Sequence, residues 1–97
     1  MNHPKEIYWS ALAKDTYSEL LKYLLDNYPS EIAIDFDDKV ILLISRLQYF
    51  DQLCPPSKVV TNYHKCVITK HNFLIYRLNN DTIELVTSID NRSDFLY

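Results

Sequence analysis

Three features of the sequence predict an α+β fold: a short N-terminal strand, then an antiparallel helical hairpin packed on a small antiparallel sheet. β-Branched and aromatic residues gather into three runs between Val59 and Arg92, namely Tyr63–Thr69, Phe73–Leu78 and Thr82–Ile89. The polar interruptions Lys70–Asn72 and Asn79–Asp81 are too short for crossover helices, so the runs should pair as an antiparallel meander. Upstream, apolar residues recur at helical rather than strand spacing.

Taken in order, Glu6-Ile7-Tyr8-Trp9 reads as the first strand, and Ser10 stands where an N-cap accepts free backbone N–H groups. From Ala11 to about Asn27, Leu12, Leu20, Leu21, Leu24 and Leu25 define an apolar helical stripe. Pro29 suits the opening of a second helix, because its missing N–H needs no partner there. That helix is expected to run to about Leu53, with a seam of Ile32, Phe36, Val40, Leu43, Leu47 and Phe50 widened by Ile41 and Ile44. Cys54-Pro55-Pro56 ends it, and the short connection makes the helices antiparallel neighbours. The chain has no glycine, so positive φ should fall to asparagine, with Asn72 and the Asn79-Asn80-Asp81 run at the turns.

With 97 residues the chain supports one domain, spanning 1–97, with one core. It is 47% hydrophobic and 24% charged, the balance of a globular protein rather than a disordered one. No apolar run suits a bilayer and no secretory pattern opens the chain, so a cytoplasmic location without membrane contact is expected. On that basis Cys54 and Cys66, which form no CxxC pair, are expected to be reduced. His64, Cys66 and His71 lack zinc-like spacing, so neither a metal nor a cofactor is expected. The net charge is −3, split as −4 over residues 1–53 and +1 over residues 54–97, so polyanion contact would need a local patch.

Strand alternation sorts the sheet into two faces. Cys66, Ile68, Leu74, Tyr76, Leu78, Ile83, Leu85 and Ile89 are assigned to the helices. Tyr63, Lys65, Val67, Phe73, Ile75, Arg77, Glu84 and Val86 fall on the other side. Two helices can cover one face of a small sheet, which leaves the second as a candidate partner surface. Arg77 should pair with Glu84 across adjacent strands, and Arg92 has Asp90 and Asp94 nearby in sequence. Phe95-Leu96-Tyr97 is apolar for a chain end and is expected to pack back on the domain or to join a homo-oligomer.

Ile7-Tyr8-Trp9-Ser10 with Ala13 and Asp15, the long second helix ending in leucine and proline, Phe73–Leu78, Thr82–Val86 and Asp90-Asn91-Arg92 come in a telling order. In that order the chain resembles the RelE/ParE superfamily of type II toxins. The resemblance implies a growth inhibitor neutralised by a cognate antitoxin that wraps the toxin, as a strand on the sheet edge or as side chains in a groove. Tyr63, Lys65, Phe73, Ile75 and Arg77 of the second face, together with Arg92 of the closing motif, are the candidate partner-binding residues. RelE-like members resemble ribosome-dependent nucleases that cut mRNA, whereas ParE-like members resemble poisons of DNA gyrase. RNA cleavage needs a base, cations for the phosphate and an acid. The matching neighbourhood offers Lys58, His64, Lys65, Arg77, Arg92 and Tyr97, and Lys65, Arg77 and Arg92 are the catalytic candidates on the nuclease reading. The set is sparse, and Asp90-Asn91 adds negative charge beside it. The balance lies with the ParE-like, non-nuclease side, and an inactive relative is the remaining alternative.

Overall fold

The computed structural model describes residues 3–90. Its elements are β1 (Glu6–Trp9), α1 (Ala11–Asn27), α2 (Ser30–Leu47), β2 (Tyr63–Thr69), β3 (Asn72–Asn79) and β4 (Thr82–Asp90). The architecture is α+β: a helical hairpin on one face of a four-stranded sheet of order β1-β4-β3-β2. β2, β3 and β4 form the expected antiparallel meander. β1 runs parallel to β4, pairing Ile7 with Ile83 and Trp9 with Leu85, so the sheet is mixed at that edge. A parallel neighbour requires an intervening crossover, and the helical hairpin with the first two meander strands supplies it.

Ser10 caps α1 as expected, its Oγ accepting from the Ala13 N–H at 2.9 Å. The same hydroxyl donates to the Val86 carbonyl at 2.8 Å, and the Ser10 N–H donates to the Leu85 carbonyl, so one residue ends β1, starts α1 and hooks both to β4. Between them the helices and sheet bury Ala13, Leu47, Cys54, Cys66, Leu74, Tyr76, Ile83 and Leu85, with Ile7, Trp9, Leu43, Ile44, Ile68 and Leu78 packed around.

Four expectations are corrected. α2 stops at Leu47, not near Leu53. The Lys5 N–H donates to the Gln48 carbonyl, Gln48 Nε2 donates back to the Lys5 carbonyl at 3.0 Å, and Lys5 pairs with Asp51 at 3.5 Å. These contacts to the segment before β1 take over from another helical turn. Phe50 is consequently 63% exposed and lies outside the seam, as do Ile32 and Ile41. Positive φ occurs at Asn62 and Asn80, not at Asn72, which is a strand residue whose Oδ1 accepts from the Thr69 hydroxyl at 2.9 Å.

The third correction concerns Ile89. The β3–β4 register shifts between Ile75 and Tyr76, so Tyr76 pairs with Leu85 but Ile75 pairs with Thr87, leaving Val86 as an extra residue. Because strand side chains alternate, one inserted residue reverses the faces of everything beyond it. Ile89 pairs with Phe73 and lies opposite the helices, while Ser88 pairs with Leu74 and lies under them. At the shift, Thr16 of α1 accepts the Ser88 N–H at 3.0 Å, and its hydroxyl lies 3.4 Å from those of both Ser88 and Thr87.

The fourth is the cysteines: Cys54 and Cys66 are joined in a disulfide with Cα atoms 5.2 Å apart. A single bridge between Pro56 and His64 folds the segment after α2 back along β2 and lays Cys54 over Cys66.

Candidate functional site

The face opposite the helices brings the sequence-predicted residues together in rows set by the register. The first row crosses all four strands as Tyr8, Glu84, Arg77 and Tyr63; the second carries Ile75 and Lys65, with Thr87 paired to Ile75 while its hydroxyl reaches Thr16 of α1 at 3.4 Å; the third Ile89, Phe73 and Val67. Five of the six proposed partner residues therefore share one surface. Arg92 lies outside the described residues, as do Tyr97 and the apolar end Phe95-Leu96-Tyr97.

The chemistry of that surface is largely committed within itself. Arg77 donates to Glu84 from Nε at 2.9 Å and also from Nη2, both to the same carboxylate oxygen. The Lys65 ammonium sits 4.0 Å from the centroid of the Phe73 ring, a cation–π contact that holds the cation over an apolar platform. Ile75 is fully buried, so it supports the surface without presenting itself to a partner. Tyr8 and Val67 are the broadly exposed apolar groups at its margins, at 57% and 66%.

His64 is not part of this surface. It pairs with Tyr76 on the helix side, stacks on its ring at 4.8 Å and is buried. Its Nδ1 lies 2.8 Å from the Cys54 carbonyl, which can only accept, so the Nδ1–H donates. Tyr76 completes the cluster: its hydroxyl donates to the Asp51 carbonyl at 2.7 Å and accepts from the Cys54 N–H at 3.4 Å. Burial pushes the Tyr76 phenol up, nearby Asp51 adds to this, and the Cys54 N–H opposes it. A histidine so engaged is a core residue and does not stand beside Lys65 and Arg77 to move a proton. His71 lies at the exposed β2–β3 turn and Lys58 on the exposed loop before β2.

A second concave feature escaped the sequence reading. The C-terminal half of α1, the N-terminal half of α2 and the β2–β3 turn enclose a groove of about 350 Å³, walled by Leu20, Leu24, Tyr28, Ile32 and Phe36, with His71 at its rim. Helical spacing assigned these leucines to the core stripe. The helices and the β2–β3 turn leave a cleft between them that no one-dimensional pattern records. Deeper in the hairpin, Tyr17 donates to Asp37 at 2.6 Å with Trp9 and Phe36 rings beside it. Burial first, then the hydrogen bond and charge of Asp37, raise the Tyr17 phenol far above its ordinary value. No helix among the described residues is long and apolar enough to cross a membrane.

No family model matches the chain and no curated protein matches it. Solved structures do. A chain of the chromosomal ParDE TA system from P. aeruginosa aligns with a TM-score of 0.74 at 12% identity, over 92% of this chain and 98% of that one. The E. coli DinJ-YafQ toxin–antitoxin complex supplies a match at TM-score 0.66 and 14% identity, covering 96% and 99%. The YoeB dimer from Staphylococcus aureus matches at 0.63 and 17%, covering 90% and 97%. At such identities the likeness establishes a shared fold, over nine-tenths or more of each chain.

Proposed function

We propose, on the premise that this chain has the RelE/ParE-type fold, that it is the toxin of a type II toxin–antitoxin pair. On this reading it is a ParE-like growth inhibitor, held inactive in the cytoplasm by a cognate antitoxin, with DNA gyrase as its candidate target. The observation that carries the reading is the match, over 92% of this chain, to a chain of a ParDE system. The state of the cations supports the non-nuclease side: Arg77 is tied to Glu84, and His64 is turned into the core. An antitoxin segment has two places to engage, the Tyr63/Lys65/Phe73/Arg77 surface and the apolar groove between the helices.

The alternative is a ribosome-dependent mRNA endoribonuclease using Lys65, Arg77 and Arg92. It draws on the Lys65–Phe73 stack, since a cation beside an aromatic platform is a combination that grips single-stranded nucleic acid.

Inducible expression of the chain alone tests both, with growth, plasmid supercoiling and mRNA 5′ ends followed together. Growth arrest with altered supercoiling and intact messages is the expected result. Codon-linked cuts in messages would move the protein to the nuclease branch, and unimpaired growth would defeat the toxin reading altogether.

A further inference from the structure

We infer that the Cys54–Cys66 pair is a reversible redox site whose reduction by a dithiol releases a clasp from the outer edge of the sheet. The inference does not depend on the toxin reading. β2 is an edge strand, and an uncovered edge is a template for pairing with another chain. Here the first part of that edge is closed by the chain's own Pro55–Ser57 segment. The Lys65 N–H donates to the Pro55 carbonyl at 3.1 Å, the Ser57 N–H donates to the Tyr63 carbonyl at 2.7 Å, and Pro56 bridges His64. The clasp has no ladder of its own beyond these bonds, and both its prolines are exposed. What pins it covalently is the disulfide, from Cys54 at its base to Cys66 within β2.

The cysteines differ in access. Cys66 is 1% exposed within the strand, whereas Cys54 is 7% exposed at the foot of an irregular segment. A thiolate of the dithiol therefore attacks the Cys54 sulfur as the segment opens, forming a mixed disulfide and expelling Cys66 as a thiolate, which takes up a proton. The second thiol of the reductant then attacks the mixed disulfide, gives up its proton and displaces Cys54, which leaves as a thiol. Two electrons pass to the protein, and the reductant departs as its own disulfide. With the tether gone, the segment keeps its Pro55 and Ser57 bonds to β2 and, at Cys54, the His64 and Tyr76 hydrogen bonds to the backbone, the latter long at 3.4 Å. Opening is then a local event, separate from unfolding of the sheet. In a reducing compartment the bond would persist only under oxidation, which is the behaviour of a redox-sensing pair.

The experiment compares the air-oxidised chain with the same chain in dithiothreitol, counting thiols by alkylation and mass, and following amide hydrogen exchange. Reduction is expected to expose two thiols and to speed exchange at Ser57 and Lys65 by about tenfold or more, leaving the central Ile75 and Leu85 amides protected. Trypsin cleavage after Lys58, read on reducing gels, should accelerate by a similar factor. The doubly substituted Cys54→Ser, Cys66→Ser chain should show the fast exchange with or without dithiothreitol. The inference is overturned if oxidised protein already carries two free thiols, or if dithiothreitol fails to reduce the bond in the folded chain. Unchanged Ser57 and Lys65 exchange on reduction also overturns it. So does loss of protection throughout the sheet, which would make the bond a global staple rather than a clasp.

Discussion

The two faces of the sheet use the same strands and differ in what their polar groups hold. Beneath the helices, Tyr76 and His64 bind backbone atoms of the segment after α2, so each hydrogen bond joins distant parts of the chain. On the opposite face Arg77 binds Glu84 on the adjacent strand and Lys65 rests on nearby Phe73, so each contact stays within the surface. The first arrangement makes side chains indispensable to folding. The second leaves side chains that can be replaced at little structural cost and are therefore available for recognition. Breaking each kind of contact should reveal the difference.

The largest effect is expected for Tyr76→Ala, which opens a cavity at a fully buried site and orphans the Asp51 carbonyl and Cys54 N–H. A loss of about 3–5 kcal/mol is expected by urea denaturation. A loss under about 1 kcal/mol would mean the helix-side face is not the organising core.

Alkaline pH offers a gentler probe of the same face. The Tyr17 and Tyr76 phenols are raised in the folded protein, so the native state holds their protons more tightly than the unfolded chain. Their contribution is complete below the ordinary tyrosine value of about 10 and is lost as pH rises beyond it. Urea midpoints at pH 8 and pH 10.5 should therefore fall with rising pH, and fall less in Tyr17→Phe. An equal fall in that variant would remove Tyr17 from the account.

Ser10→Ala loses an N-cap and a bond to β4 together, and about 1–2 kcal/mol is expected by thermal or urea unfolding.

On the opposite face, Lys65→Ala and Arg77→Ala should each cost no more than about 1 kcal/mol, since these are partly exposed contacts. Growth arrest or antitoxin binding should nonetheless weaken about tenfold, roughly 1.4 kcal/mol of recognition. Full activity in both variants would remove this face as the partner surface. Smallest of all, Phe50→Ser should stay within about 0.5 kcal/mol, because α2 ends before this 63%-exposed residue.

Much of this was legible in one dimension, and particular residues show why. Ser10 could be read as a cap, and the hairpin strands could be bounded within a residue at each end, because both rest on local chemistry: a side-chain acceptor near free N–H groups, and β-branched runs broken by polar triplets. The Tyr63, Lys65, Phe73 and Arg77 grouping followed from alternation, which holds for as long as the ladder is regular. Ile89 was misplaced because alternation carries no memory of an inserted residue, and Val86 is chemically ordinary. His64 was grouped with the cations through the family resemblance, whereas its partners lie at Cys54 and Tyr76.

By itself, the sequence determined the α+β class, the helical hairpin, the antiparallel meander and the mixed character of the surface facing away from the helices. These rest on side-chain periodicity and turn chemistry, which act over a few residues. Only the tertiary structure decided the parallel pairing of β1 with β4, the end of α2 at Leu47, the face reversal after Val86, the groove between the helices and the bond between Cys54 and Cys66. Each depends on groups far apart in the chain competing for the same backbone atoms or the same space, and that competition is settled only when the elements meet.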